Sequence, residues 1–497
     1  MKKLSLILAA LLLVSSIASC SDEPADSGNA AATTAQSAQT EAETSALDAR
    51  KSISDNLPEA NFDGETFRLY ASTEKRAQKF YAEASNGDVI NDAIYNAILT
   101  TEQRFNTDIV CILSDLGGNE DVTHNDAIRK AVQAEEDICD VAENHDSLSG
   151  SAAIEGMYTN LRNLERLDFS QPWWAPNAVE SLTYMEQLYL GSSAMSITGF
   201  NQTRVIFFNK DLLNRYNMEE PYETVFAGEW YLDTLINQTK DVYEDLNGNS
   251  TKDKEDFYGY IAGAPIYCYL ESYGIPTIIK EEDSLTTGVN NARTITMVEK
   301  LYNLLYESDG AMIYRKGQDD DHNVALFGNN QSLYAFGEIG NAVDYLRHTE
   351  VNYGIIPTPK LDEVQEDYLA AYTDRFFVVP RTLPTDRYEF VGTIIEAMSA
   401  EGYRQIFPAY YEIALKQKFT FDNESMQVLD LINDCRILDF AFVYCADING
   451  LINGLLSPDQ SPSSNFASKY ASQEKSINAK LKNVYKAFEK MYEDAVM

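Results

Sequence analysis

Apolar and polar positions along this chain follow two periods in alternation. Short apolar runs at 66–70, 109–113 and 138–142 are bounded by polar or glycine-bearing turns and predict strands. Between them Ile94, Ile98 and Phe105 share one face of a helix that begins near Val89, and 125–134 predicts a second helix. A further set starts at residue 204. Its strands are expected at 204–208, 257–262, 332–336, 353–357 and 376–379, and its helices at 209–216, 229–243, 294–306, 341–347 and 390–399. In the tail, Ile477, Leu481, Val484, Phe488 and Met491 form one helical stripe, which reads as a packing face. Strands alternating with helices predict an α/β fold with largely parallel sheets.

In such sheets ligands bind beyond the carboxyl ends of the strands. That rule places Glu143, Asn144, His145 and Asp146 at a candidate site after the run 138–142. It places Glu338 and Asn341 after the run 332–336, where the start of the next helix leaves backbone N–H groups free to donate. Tyr372 and Asp374 stand just before the strand at 376–379 and can line the same cleft.

The first twenty residues carry a separate signal. Lys2 and Lys3 precede an apolar run from Leu4 to Val14, and Ile17-Ala18-Ser19 leads into Cys20. This is the layout of a secretory signal peptide, and the apolar run is too short for a stable membrane span. Its last four residues resemble the lipobox of bacterial lipoproteins, in which the cysteine is acylated and the chain is cut before it. The expectation is a signal peptide at 1–19 and a lipid-anchored, disordered linker at 20–60. The linker is mostly Ser, Ala, Thr, Glu, Asp and Gln, too poor in apolar residues to offset the entropy of ordering.

Composition narrows the function. The chain has 497 residues, and the stretch beyond the linker is long enough for two large lobes. A formal charge of −38 argues against nucleic-acid binding and against electrostatic docking on anionic lipid, so contact with membrane is expected through the lipid anchor alone. Beyond Cys20 the cysteines are Cys111, Cys139, Cys268, Cys435 and Cys445, with no CxxC pair; they read mainly as buried small hydrophobes, and a Cys435–Cys445 bridge cannot be deduced from spacing. The chain shows no GxSxG elbow, HExxH motif or phosphate-binding glycine loop, and its four histidines lack metal-ligand spacing. No catalytic residue or catalytic cofactor is expected. Abundant carboxylates leave a glycoside hydrolase open as an alternative.

One stretch carries metal chemistry. From 245 to 256, oxygen-bearing side chains stand at positions 1, 3, 5, 9 and 12 as Asp245, Asn247, Asn249, Asp253 and Asp256, with the Thr251 carbonyl at position 7. That is the spacing of an EF-hand-type calcium loop, whose short side chains on alternate residues wrap one ion. Ser250 stands where the loop usually has glycine, and Asp256 replaces the usual Glu. A structural Ca2+ is expected here; the competing reading is an Asx-rich turn.

Several strings resemble those of extracellular solute-binding proteins of ABC importers, the sugar-binding type. They are RVIFFNKDLLNRY at 204–216, Pro221-Tyr222, Gly228-Glu229-Trp230 before a helix, YGIIPTPK at 353–360, the pair Trp173-Trp174 and NDAIYNAI from Asn91. Each is short; their order behind a lipobox and tether carries the resemblance. It implies the two-lobed periplasmic-binding-protein-like fold (type II), with hinge strands between the lobes and a ligand in the cleft. The first lobe is expected at 61–198 with a returning segment near 366–410, and the second at 199–365 with the C-terminal helices 411–497. The implied function is capture of a sugar or oligosaccharide by a monomer on the outer face of the cytoplasmic membrane, and delivery to an ABC permease. A surface polysaccharide-binding lipoprotein without a transporter is a further alternative, though such modules are more often β-sandwiches. Aromatic rings cover the C–H faces of sugars, so Trp173, Trp174, Tyr372 and Tyr410 join the candidate ligand contacts, while Trp230 at a helix start reads as structural.

Overall fold

The computed structural model describes residues 50–114, 116–117, 120–263, 269–314, 323–410, 423–445, 447–457 and 461–496. The signal peptide, Cys20, most of the linker and Cys268 lie outside the described residues.

A four-stranded sheet is built on the strand Glu65–Ala71. Its apolar positions Phe67, Leu69 and Ala71 alternate inward, as period two requires. It pairs in parallel with Thr107–Leu113, from Glu65 opposite Thr107 to Ala71 opposite Leu113, and with Val141–His145 on its other side. The returning strand Arg375–Val378 closes the order antiparallel to Val141–His145. The helix Val89–Phe105 lies between the first two strands in sequence; Asp88 starts it by accepting the N–H groups of Ile90 and Asn91, and Asn106 ends it with a φ of 48°.

The larger sheet runs Tyr353–Pro357, Arg204–Asn209, Ser332–Glu338, Phe257–Ala262, Tyr243–Glu244, with Ala311–Ile313 also paired to Phe257–Ala262. Ser332–Glu338 is parallel to Phe257–Ala262 and antiparallel to Arg204–Asn209. All six residues of Arg204–Asn209 and all six of Phe257–Ala262 are buried, so both faces of these strands are covered. Trp230 is buried beside this sheet, donates its indole N–H to the Pro357 carbonyl at 3.1 Å and stacks on Tyr334. Ser54–Met497 forms one compact unit.

Two segments cross between the sheets, near 203 and 372, and they run side by side: Thr203 and Tyr372 form an antiparallel bridge. The C-terminal helices do not all stay with the second sheet. Asn423–Asp434 packs on Tyr353–Pro357, whereas Phe440–Tyr444 packs on the first-lobe helix Asp146–Ile154. Gly150 permits that approach, since a Cβ there would stand 2.0 Å from the Val443 carbonyl oxygen. Cys111, Cys139, Cys435 and Cys445 are free thiols. No helix among the described residues is long and apolar enough to cross a membrane.

Candidate functional site

The third strand begins three residues later than the apolar run 138–142 implies. Ile138 and Cys139 form a lead-in, and Asp140 turns its carboxylate onto the backbone N–H and guanidinium of Arg68. Glu143, Asn144 and His145 therefore lie inside the strand Val141–His145, paired with Phe377, Phe376 and Arg375, rather than beyond its end.

This end of the sheet is filled by its own polar groups. Arg375 pairs with Glu143 and with Asp121 at 2.7 Å, and Glu143 also accepts from Ser72 N–H and hydroxyl at 2.9 and 2.7 Å. Burial alone would raise the Glu143 carboxyl, but the Arg375 charge overrides it and holds it below its usual range. Asn144 donates to Asn125 and Tyr158, both at 2.9 Å, and accepts from His145 N–H. Asp146 begins a helix with its carboxylate 2.8 Å from His145 Nδ1, which raises the imidazole pKa. Asp374 is buried between Ser192, whose hydroxyl donates to it, and the Arg375 N–H; burial lifts its carboxyl to about 7. Tyr372 is buried beside Ser192, with the Arg436 guanidinium 5.1 Å from its ring centre.

The other candidates divide in the same way. Trp173 and Trp174 are fully buried and donate their indole N–H groups to one carboxylate, Glu396, at 2.8 and 3.0 Å, so they build core and not a sugar platform. Glu338 is the last residue of its strand and pairs with Arg204, and Asn341 accepts the Glu338 N–H at 2.8 Å. These two bind each other's surroundings at the crossing between lobes.

Tyr410 alone of the ten ligand candidates lines a described cavity. That cavity holds about 270 Å³. One wall is Gln78, Lys79, Asn86, Asp88, Ile90 and Asn91, from the segment after the first strand of the smaller sheet and the start of its helix. The opposite wall is Gly340, Val343 and Asp344, just past the strand Ser332–Glu338 of the larger sheet, and Ile197 and Asn201 at the crossing close one side. The Tyr410 hydroxyl and Asn201 Oδ1 are buried without a hydrogen-bond partner. Burial lowers the Lys79 ammonium pKa, and Asp344 across the cavity opposes that effect. Sequence reasoning applied the carboxyl-end rule to the third strand and missed that the polar segment after the first strand meets it too.

No family model matches the sequence, and no curated protein matches it. Solved structures do. The maltose/maltodextrin-binding domain MalE from Bdellovibrio bacteriovorus, bound to maltotriose, aligns at 13% identity and a TM-score of 0.53, over 83% of this chain and 99% of that one. UgpB from Mycobacterium tuberculosis, with glycerophosphocholine, aligns at 14% and 0.54 over 84% and 99%. An ABC substrate-binding protein from Listeria monocytogenes, with cycloalternan, aligns at 13% and 0.54 over 84% and 99%. The fold is that of the two-lobed periplasmic binding proteins. In this binding-protein fold the two sheets are the cores of the lobes, and the 270 Å³ cavity lies between them.

The 245–256 loop is far from this cleft in sequence and has its own geometry. Ser250, at the position usually held by glycine, has a φ of 60°, the left-handed backbone that position demands. Asp245 accepts the N–H groups of Gly248 and Ser250 at 2.7 and 2.8 Å. Asn247, Asn249 and Asp253 meet side chain to side chain, at 3.2 and 2.7 Å. Asp256 is fully buried and accepts from Tyr243, Leu246 and Asp253; Asn247 and Asn249 point their amide N–H groups at Asp253, and their oxygens accept backbone N–H groups, the second that of Thr251. Among the described residues no group of three or more His, Cys, Asp or Glu side chains is placed to hold a metal ion. In this arrangement the loop's polar side chains bond one another and the loop backbone, and an ion held here would take the oxygens of Asn247 and Asn249 in place of their amide N–H groups.

Proposed function

We propose that this chain is a solute receptor that takes a sugar or a related polyhydroxy compound into the interlobe cavity and passes it to an ABC permease. The observation that supports this reading most is the cavity itself. It is bounded by segments beyond strand ends of both lobes, beside two crossing segments that run together, and it keeps polar groups that the fold does not use. Ligand touching both walls stabilises a closed arrangement by its differential affinity for it, which is how such a receptor signals occupancy. No catalytic role is assigned to any residue.

The same reading places the protein outside the cytoplasmic membrane, tethered by lipid on Cys20 through the linker. Cys20→Ala is expected to release the protein or leave it unprocessed; unchanged membrane retention contradicts the anchor. The receptor itself is tested by thermal shift of the folded body against sugars, polyols and peptides. A ligand at a hundred times its dissociation constant adds about 2.7 kcal/mol. A panel that moves no melting temperature contradicts the receptor reading.

A further inference from the structure

Two opposite charges line the cavity, one from each lobe and near enough for Asp344 to act on Lys79, and this sets what can fill it. Lys79 is half-buried on one wall, and Asp344 is exposed on the other. Among the described residues neither side chain has a hydrogen-bond or ion-pair partner, while the third charged group, Asp88, is spent capping the helix Val89–Phe105. An anionic ligand would meet the repulsion of Asp344, and a cationic one that of Lys79, whose ammonium also feels Lys75 and Arg76. Neutral hydroxyls satisfy both, because a hydroxyl donates to a carboxylate and accepts from an ammonium. Deeper in, the Tyr410 hydroxyl and Asn201 Oδ1 are buried and unpartnered, and such groups are costly until a ligand pairs with them. Ile197 and Val343 add apolar surface for C–H groups. A volume of about 270 Å³ falls just below the roughly 300–1,000 Å³ usual for small-molecule pockets. It suits one ring and not a long oligosaccharide.

We propose that Lys79 and Asp344 are the ligand's two charged contacts, bridged by hydroxyls of a single neutral sugar ring or short polyol, with Asn201 and Tyr410 completing the site. This rests on the receptor function proposed for the chain. It narrows the ligand and moves the contacts away from the 144–146 segment.

The test uses the full folded chain with neutral monosaccharides, short polyols, maltotriose, monosaccharide phosphates and a zwitterionic amino acid as probes, each at millimolar concentration. A neutral monosaccharide or polyol is expected to bind. Lys79→Met and Asp344→Asn are then expected to weaken it roughly ten- to a hundredfold each, and Tyr410→Phe severalfold, with the ligand-free melting temperature unchanged. The two charge variants sit on different lobes, so a folding failure in one leaves the other informative. Monosaccharide binding that survives both variants overturns this site and leaves the receptor reading intact. Binding of the phosphate, the amino acid or maltotriose alone overturns the ligand class. Binding of no probe contradicts both.

Discussion

Two patches of the interlobe surface use the same residue types and come out differently. Around 143–146 and 372–375, Glu143, Asn144, Asp146, Asp374 and Arg375 are buried and bonded to one another or to neighbouring backbone. Around 78–91 and 340–344, Lys79, Asn201, Asp344 and Tyr410 surround a cavity with bonding capacity to spare. The first patch is a closed network that fixes how the crossing segments leave the first lobe. The second is open and can take a guest. Position at a strand end is shared by both; what separates them is where their hydrogen bonds go.

The largest effect is expected from removing the centre of the closed patch. Arg375→Met leaves Glu143 buried beside Asp121 without its cation, which costs about 3–5 kcal/mol by the usual penalty for halving a buried pair. Chemical denaturation reads this directly. A loss below about 1 kcal/mol would mean that this end of the sheet is not closed after all.

A smaller effect is expected from pH. Burial raises the Asp374 carboxyl from 3.8 to about 7 in the folded protein. Between those values the folded state binds more protons than the unfolded one, so this group's contribution is full at low pH and falls as pH rises toward about 7. Glu143, paired with Arg375, and Asp55, paired with Arg104 at 2.6 Å, are held below their usual range, act in the opposite sense and lose their contribution in acid. Asp374→Asn is therefore expected to flatten the decline in stability between about pH 4 and about pH 7. An unchanged slope would show that Asp374 is already ionised and solvated.

The smallest expected effect is at the 245–256 loop. If Asn247 and Asn249 turn their amide oxygens onto an ion shared with Asp253, calcium added to chelated protein raises the melting temperature, and Asp253→Ala abolishes the rise. Equal melting with and without calcium leaves the loop as a self-bonded turn.

How far the sequence was readable depends on what each segment buries. Phe257–Ala262 and Tyr353–Pro357 match their expected bounds to the residue, because an apolar run buried on both faces and stopped by turn residues has one reading. The apolar run 138–142 misplaces the third strand because Cys139 is buried without being in the sheet, so burial and pairing part company there. The C-terminal helices were assigned to one lobe because a helical stripe names a packing face but not its partner; Phe488 packs on Tyr184 and Tyr189 of the first-lobe segment. Trp173 and Trp174 fit the chemistry of a sugar platform equally well as residue types, and only the carboxylate of Glu396, more than two hundred residues away, shows them to be core. Lys79 and Asp344 carried no pattern at all, since a lysine in a polar segment and an aspartate on a short helical turn look like solvated surface until the two lobes bring them together.

The most direct measurement is calorimetric titration of the neutral sugar or polyol found by thermal shift into three proteins: wild type, Asp146→Ala and Asp344→Asn. Asp344→Asn is expected to lose roughly tenfold or more in affinity at unchanged stability, whereas Asp146→Ala keeps its affinity. Loss of binding in Asp146→Ala with full affinity in Asp344→Asn would contradict that expectation, and would return the site to the closed patch around 143–146.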